Sequence, residues 1–309
     1  MYINDLSSYL KEKFGYKVYK LALNGGMSCP NRDGTKGIGG CIFCSQGGSG
    51  DFASDKGKSI SEQIEEAKRL VGNKISNGRY IAYFQAYTTT YAPVDYLRKI
   101  FTEAINHPDI EILSVATRPD CLDTENIKLL AELNQMKPVW AELGLQTVNE
   151  ESIRFIRRGY DNKVFEEAVK KLAYHGIEVI VHVIIGLPHE SERDILNTIQ
   201  YINCLEIQGV KLQQLHVLKG TDLEQYYYKH GFYIYSIEEY ADILFKAIEH
   251  LQKEIVIHRL TGDGPKKLLI EPLWSGNKRM VMNYIRNEMS RRNIMQGAKA
   301  AGTGGLKCQ

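Results

Sequence analysis

Short apolar runs alternate with amphipathic helical patterns from about residue 16 to about residue 230, and this alternation limits the possible folds more than any other feature of the chain. Strand-like runs stand at 16–23, 80–85, 111–116, 139–145, 178–185 and 210–217. Helical periodicity fills the gaps at 61–73, 94–106, 124–135, 150–158 with 163–175, and 192–204. The first helix carries a capping box from Ser59 to Glu62, and Ile60, Ile64, Ala67, Leu70 and Val71 fall on one of its faces. Strands joined through helices pair in parallel and are covered on both sides, which explains why they are short and apolar. Six such units are fewer than the eight that close a full barrel. The expectation is an α/β fold, a partial (β/α)6 TIM-like barrel over residues 1–235. A C-terminal extension over 236–309 follows, with a helix at 237–251, a short strand near 255–258, a basic helix at 278–292 and a mobile tail from about 297. Ligands in such folds gather at the C-terminal ends of the strands.

The loop after the first strand, residues 24–50, lies at that end and holds Cys29, Cys41 and Cys44. Thiolates two residues apart on a tight turn converge on one metal centre, and Gly37, Gly39 and Gly40 let the chain bring the third back to them. Three thiolates leave one of four coordination positions open. Phe43, between the last two cysteines, offers an aromatic face to cover the centre. A structural zinc completed by Cys121 or a histidine is the alternative, but zinc of that kind usually takes two close-spaced pairs and the chain has no second pair. The spacing favours an iron–sulfur cluster.

The charged fraction of 25% and hydrophobic fraction of 43% are those of an ordinary soluble protein. The first residues carry scattered charges and no apolar signal core, and the most apolar run, 177–187, contains Glu178 and His182. A cytoplasmic protein is expected, with neither a membrane nor DNA as partner. In that compartment clustered cysteines favour metal over disulfide. The formal charge of +2 hides an asymmetry: residues 253–309 hold eleven Lys or Arg against four Asp or Glu, so the rest of the chain is acidic overall. A basic segment meets nucleic acid or forms a solvated helix face.

The three cysteines after the first strand, together with the phrases CPNRDG, ATRPD, ELGLQT, GLPHE, LHVLKGT and HRLTGDGP, closely resemble the radical S-adenosylmethionine (radical SAM) superfamily. Within it they resemble the elongator catalytic subunit-like branch and its smaller YhcC/YtqA-type bacterial family, over nearly the whole chain. The resemblance implies a [4Fe-4S] cluster on Cys29, Cys41 and Cys44, SAM on the open iron, and reductive cleavage to a 5′-deoxyadenosyl radical. It also implies an electron donor such as flavodoxin or ferredoxin, and tRNA as the substrate, with a carboxymethylaminomethyl-type side chain on the wobble uridine as the group processed. Acetyl transfer is not implied.

The superfamily's Gly-Gly-Glu motif after the second strand holds the SAM amino group. Here that stretch reads from Gln85 to Thr90, which makes Gln85 and Thr88 the candidates. Thr117 and Arg118 end the third strand, where Arg118 would pair with the SAM carboxylate or, more simply, with Asp120. Glu142 and Gln146 have even spacing on the fourth strand, so both face one side and suit a ribose diol or an internal hydrogen-bond pair. Gly186 and Pro188 end the fifth strand and resemble the element against which adenine packs, a role compatible with a plain strand-to-helix turn. His182 and His216 read as satisfied core histidines, and Cys121 and Cys204 as buried or inert thiols. Tyr226, Tyr227 and Tyr228 beside Lys229 could stack bases, and the loop with Arg259, Asp263, Lys266 and Lys267 could hold a phosphate. Cys308 reads as an incidental thiol. No residue is singled out as catalytic. Two other readings stay open, a radical SAM enzyme for a small molecule and a non-catalytic tRNA-binding protein with a structural zinc.

Overall fold

The computed structural model describes residues 3–48, 50–72 and 78–300. Cys308 and the end of the expected tail lie outside the described residues. Seven parallel strands form one open sheet: β1 (Val18–Leu23), β2 (Arg79–Phe84), β3 (Ile110–Thr117), β4 (Val139–Gln146), β5 (Glu178–Ile185), β6 (Gly209–Gln214) and, skipping a short β7 (Val217–Leu218), β8 (Val256–Arg259). The order is sequential from β1 to β6 with β8 last, and β1 and β8 do not pair, so the barrel is a curled partial one. The seventh strand comes from the short run that the sequence places in the extension. β8 pairs with β6 because the chain crosses the sheet once more through α9 (Ile237–His250), whose apolar face packs into the main core.

The crossover helices α2 (Ile60–Val71), α3 (Val94–Asn106), α4 (Thr124–Asn134), α5 (Glu150–Phe155) with α6 (Asn162–Tyr174), and α7 (Glu192–Asn203) follow their strands in turn. Period-two alternation sends Leu113, Val115, Ala141, Leu143, Val181 and Val183 outward, into the main core. The inward side is layered. Ile81, Ile112, Trp140 and Ile180 form an apolar floor sealed by Leu10 of α1 (Leu6–Phe14). One step up each strand stand Tyr83, Ser114, Glu142 and His182, joined by Lys211 of β6. The remaining elements are α8 (Asp222–His230), which the sequence reading leaves without a range, a small antiparallel pair of β7 with β9 (Leu269–Glu271), and α10 (Lys278–Arg291). Residues 297–300 are described, and the backbone N–H groups of Gly297 and Lys299 donate to the Ile248 and Glu249 carbonyls at the end of α9.

Candidate active site

One cavity lies above the polar layer, at the C-terminal ends of the strands. Cys29, Cys41, Phe43, Cys44, Gln85, Thr88, Thr117, Arg118, Glu142 and Gln146 all line it. Gly186 and Pro188 do not; Gly186 has a φ of 92° and turns the chain toward Tyr235.

The cysteine loop is folded by its own polar side chains. Asn31 donates to the Arg157 carbonyl at 2.7 Å and to Cys41 Sγ at 3.5 Å. Arg32 donates to the Cys44 carbonyl at 3.1 Å and also reaches the Ser45 carbonyl. Gly40 has a φ of 87°, and a Cβ there would sit 2.9 Å from Arg32 Nε, so only glycine lets the loop close over this guanidinium. A hydrogen bond from Cys44, helped by the Arg118 and Arg32 charges, brings the Cys41 thiol down to about 7 against its burial. The same contact pushes Cys44 up. The group of three possible metal ligands drawn together within 4.8 Å among the described residues is Glu65, His107 and Asp109, not the cysteines. At least one pair of the three sulfurs is thus more than 4.8 Å apart, wider than the roughly 3.8 Å that a single tetrahedral zinc with Zn–S of about 2.3 Å imposes.

Thr88 lines the cavity, and its buried hydroxyl has no hydrogen-bond partner among the described residues. Thr117 shares a 2.6 Å hydrogen bond with Thr90, whose hydroxyl is also 2.7 Å from the Cys121 carbonyl. Arg118 is paired with Asp120 through two 2.9 Å contacts and lies 4.8 Å from the Tyr160 ring, so the simpler pairing is formed. Asp120 holds Arg118 charged in spite of burial. Gln146 reaches the cavity through a β-bulge after Gly144, with a φ of 61°, rather than by regular alternation. Glu142 is fully buried, and both its oxygens are taken. Oε1 accepts from Lys20 and Ser114 at 2.8 Å each, and Oε2 accepts from His182 at 2.8 Å and from Lys211. Its partners are therefore these four residues and not Gln146. Burial opposes its ionisation, yet the Lys20 and Lys211 charges hold it well below the usual carboxylate range.

Sequence reasoning missed Lys211, Tyr83, Arg158 and Tyr160 and placed Arg259 in a phosphate-binding loop rather than at this site; all five line the cavity. For Lys211 and Tyr83 the signal was a polar residue within an apolar strand, which the sequence reading noted for Glu142, His182 and His216. His182, read as a core histidine, is one of this layer; burial and Lys211 bring it down to about 4, so it is neutral and donates Nε2–H to Glu142. His216 is satisfied as expected, near Gln214 and Ser275. Cys204 is exposed at the C-cap of α7, a correction to the buried reading, because the helix ends in solvent there. Tyr226 and Tyr227 pack on Phe155 and Phe232, which leaves Tyr228 as the exposed ring of the run. In the Arg259 loop, Asp263 is already engaged by Lys278 at 2.7 Å and Arg259 at 3.4 Å.

The profile of the radical SAM superfamily matches residues 29–202. The chain is a member of the radical SAM superfamily. A radical SAM C-terminal domain profile matches residues 207–291. The YtqA protein of Bacillus subtilis (strain 168) is 44% identical over 294 residues, 95% of this chain and 91% of that protein. The tRNA uridine(34) acetyltransferase of Methanocaldococcus jannaschii is 24% identical over 168 residues, 53% of this chain and 30% of that protein, so the match spans about a third of that enzyme's length. The solved structure of the archaeal Methanocaldococcus infernus Elp3 with an N-terminal deletion superimposes with a TM-score of 0.68 at 16% identity, covering 90% of this chain and 64% of that one. The fold is thus that of an elongator-like radical SAM protein, and membership makes the chain an enzyme that uses a [4Fe-4S] cluster and SAM. The reading as a non-catalytic zinc protein is overturned. Among the described residues no helix is long and apolar enough to cross a membrane.

Proposed function

We propose that this radical SAM enzyme modifies the side chain of a tRNA wobble uridine, of the carboxymethylaminomethyl type. The observation that carries the reading is the similarity to a tRNA uridine(34) acetyltransferase over 168 residues, 53% of the chain. A second feature supports RNA. Lys17, Lys20, Arg259, Lys278 and Arg286 line a cleft at the open seam between β1 and β8; Lys20 is paired with Glu142, Lys278 and more loosely Arg259 with Asp263, and Asp5 on the same cleft is spent capping α1. A cationic groove beside a cavity suits a polyanion that must present one base.

Cys29, Cys41 and Cys44 would hold the cluster, with Phe43 covering it. Thr88 and Gln85 would take the SAM amino group, Arg118 and Thr117 its carboxylate, and Gln146 its ribose, whereas Gly186 and Pro188, which lie off the cavity, keep the role of a strand-to-helix turn. The orphaned Thr88 hydroxyl and the depressed Cys41 thiol fit these roles. When bound, the two cofactors supply a 5′-deoxyadenosyl radical, which suits hydrogen abstraction beside an amine. The protein's own part is positional: the apolar floor excludes water from below, and the Glu142 network keeps the wall rigid.

The test is anaerobic reconstitution with reductant and SAM. Release of 5′-deoxyadenosine that Cys41→Ala abolishes is the expected result, and release persisting in that variant overturns the cluster assignment. For the substrate, nucleosides of tRNA from cells lacking the gene should show the unprocessed uridine. Unchanged tRNA, or tRNA binding insensitive to salt, rejects the tRNA reading.

A further inference from the structure

Arg259 stands where three cavities meet: the cofactor cavity, the cationic seam cleft, and a third space under Phe43 and the loop from Gly262 to Pro265. Its place follows from an irregularity in the sheet. The ladder between β6 and β8 pairs Val210 with Ile257 and then Lys211 with Arg259, so the register slips by one residue at His258. The slip sets two cations side by side at the edge of the cavity, an arrangement that costs energy unless anions offset it.

Lys211 has its anion, because Glu142 accepts from it. The other cations on the cavity are also provided for. Arg118 has Asp120, Arg158 is saturated by carbonyls and Asn162, and Arg32 by loop carbonyls. Arg259 differs. Among the described residues its guanidinium makes one ion pair, at 3.4 Å to Asp263 Oδ2, an oxygen that Lys278 holds more closely at 2.7 Å. Its side chain is 28% exposed, so it keeps a partly desolvated, unfilled fork of donors. Arg32 and Arg118 are the cations whose charge lowers the Cys41 thiol, whereas the charge of Arg259 falls on Tyr83, His182, Lys211 and His216. The cation left open is therefore the one that bears on the barrel interior and seam, and a guanidinium fork matches a planar oxyanion through two parallel hydrogen bonds.

We propose that Arg259 is the specificity residue of the substrate subsite, pairing with an oxyanion of the substrate, either the carboxylate of the group being modified or a phosphate of the nucleotide that carries it. This rests on the uridine side-chain reading above and deepens it. Asp263 is the internal stand-in, holding the guanidinium in place until the substrate anion arrives.

The test is calorimetric titration of the reconstituted, SAM-loaded enzyme with four probes: 5-carboxymethylaminomethyluridine, its primary amide, uridine 5′-monophosphate and uridine. The native enzyme should prefer an oxyanion probe over its neutral counterpart by about tenfold or more, as charge-assisted pairing predicts. Preference for the acid over the amide assigns the carboxylate, and preference for the monophosphate over uridine assigns the phosphate. Arg259→Gln should erase that preference, and Arg259→Lys should keep part of it. Asp263→Asn, which removes the internal competitor and leaves the cation, should strengthen oxyanion binding several-fold. The proposal is overturned if the native enzyme shows no such preference, if Arg259→Gln retains it, or if Asp263→Asn weakens it. Unchanged tRNA in cells lacking the gene, alongside an Arg259-dependent preference, rejects the tRNA reading and leaves the oxyanion site standing.

Discussion

Lys211 donates its ammonium to the carboxylate of Glu142 inside the barrel, with the two side chains 3% and 0% exposed. The pair is not isolated, since Lys20, Ser114 and His182 converge on the same carboxylate. Removing the anion therefore strands two cations, while removing one cation leaves the anion served. Glu142→Leu should cost about 3–5 kcal/mol, the range for breaking a buried pair, and Lys211→Met clearly less. The double variant should recover part of the loss. Urea denaturation of the three variants checks this, and equal losses for the two single variants would contradict the asymmetry.

Glu190 gives a pH dependence of opposite sign to that of an ordinary paired carboxylate. Burial pushes its carboxyl up to about 7, against hydrogen bonds from Thr147 and Ser152, and Oε1 has no partner. The folded state therefore keeps a proton that the unfolded chain gives up near its ordinary value, and stability falls as pH rises from about 4.5 to about 7, then levels off. The size is about 3 kcal/mol for a shift of this order. Glu190→Gln should remove that decline, so unfolding midpoints of the variant and the native protein diverge as the pH is raised through this window. Parallel curves would show that Glu190 is ionised in the folded state.

Cys121 and Cys204 should separate under alkylation. Burial raises the Cys121 thiol to about 12, and Asp120 beside it adds to the effect. At pH 8 its thiolate fraction is about a thousandfold below that of an ordinary thiol. Cys204 is exposed. Mass spectrometry after brief iodoacetamide treatment should find Cys204 modified and Cys121 intact until the protein is denatured. Early modification of Cys121 would place it in a more open setting than its contacts with Asp120 and Thr90 allow.

The strands were legible as short apolar runs between helical patterns, because burial on both faces demands apolar side chains at Leu113, Val115, Ala141 and Leu143 on one face and at Ile112 and Trp140 on the other. The cysteine loop was legible for a different reason, since spacing and glycine carry its chemistry locally. Lys211 and Tyr83 were not, because a single polar residue in an apolar strand has no meaning until the barrel brings it against Glu142 from another strand. The place of β8 was hidden similarly. Its few residues carry no sign that α9 returns the chain to the sheet beside β6. Gln146 was placed on the correct wall through the wrong geometry, as even spacing cannot anticipate a bulge.

Arg158 holds that bulge. It is 1% exposed, and its guanidinium donates to the carbonyls of Leu145 at 2.8 Å, Thr147 at 3.0 Å and Tyr160 at 2.9 Å, and to Asn162 at 2.9 Å. Leu145 and Thr147 flank Gln146 on either side, so one planar fork fixes both ends of a residue whose left-handed backbone costs on the order of 1–3 kcal/mol. Lysine keeps the charge but lacks the fork. Arg158→Lys should leave about two carbonyls unpaired and destabilise the protein by about 2–4 kcal/mol. Because Gln146 lines the cofactor cavity, the same change should weaken SAM binding several-fold in protein that is still folded. Equilibrium dialysis with SAM well below the melting temperature separates the two effects. Native SAM affinity in a destabilised Arg158→Lys protein would mean that the clamp serves the fold alone and that Gln146 does not touch the cofactor.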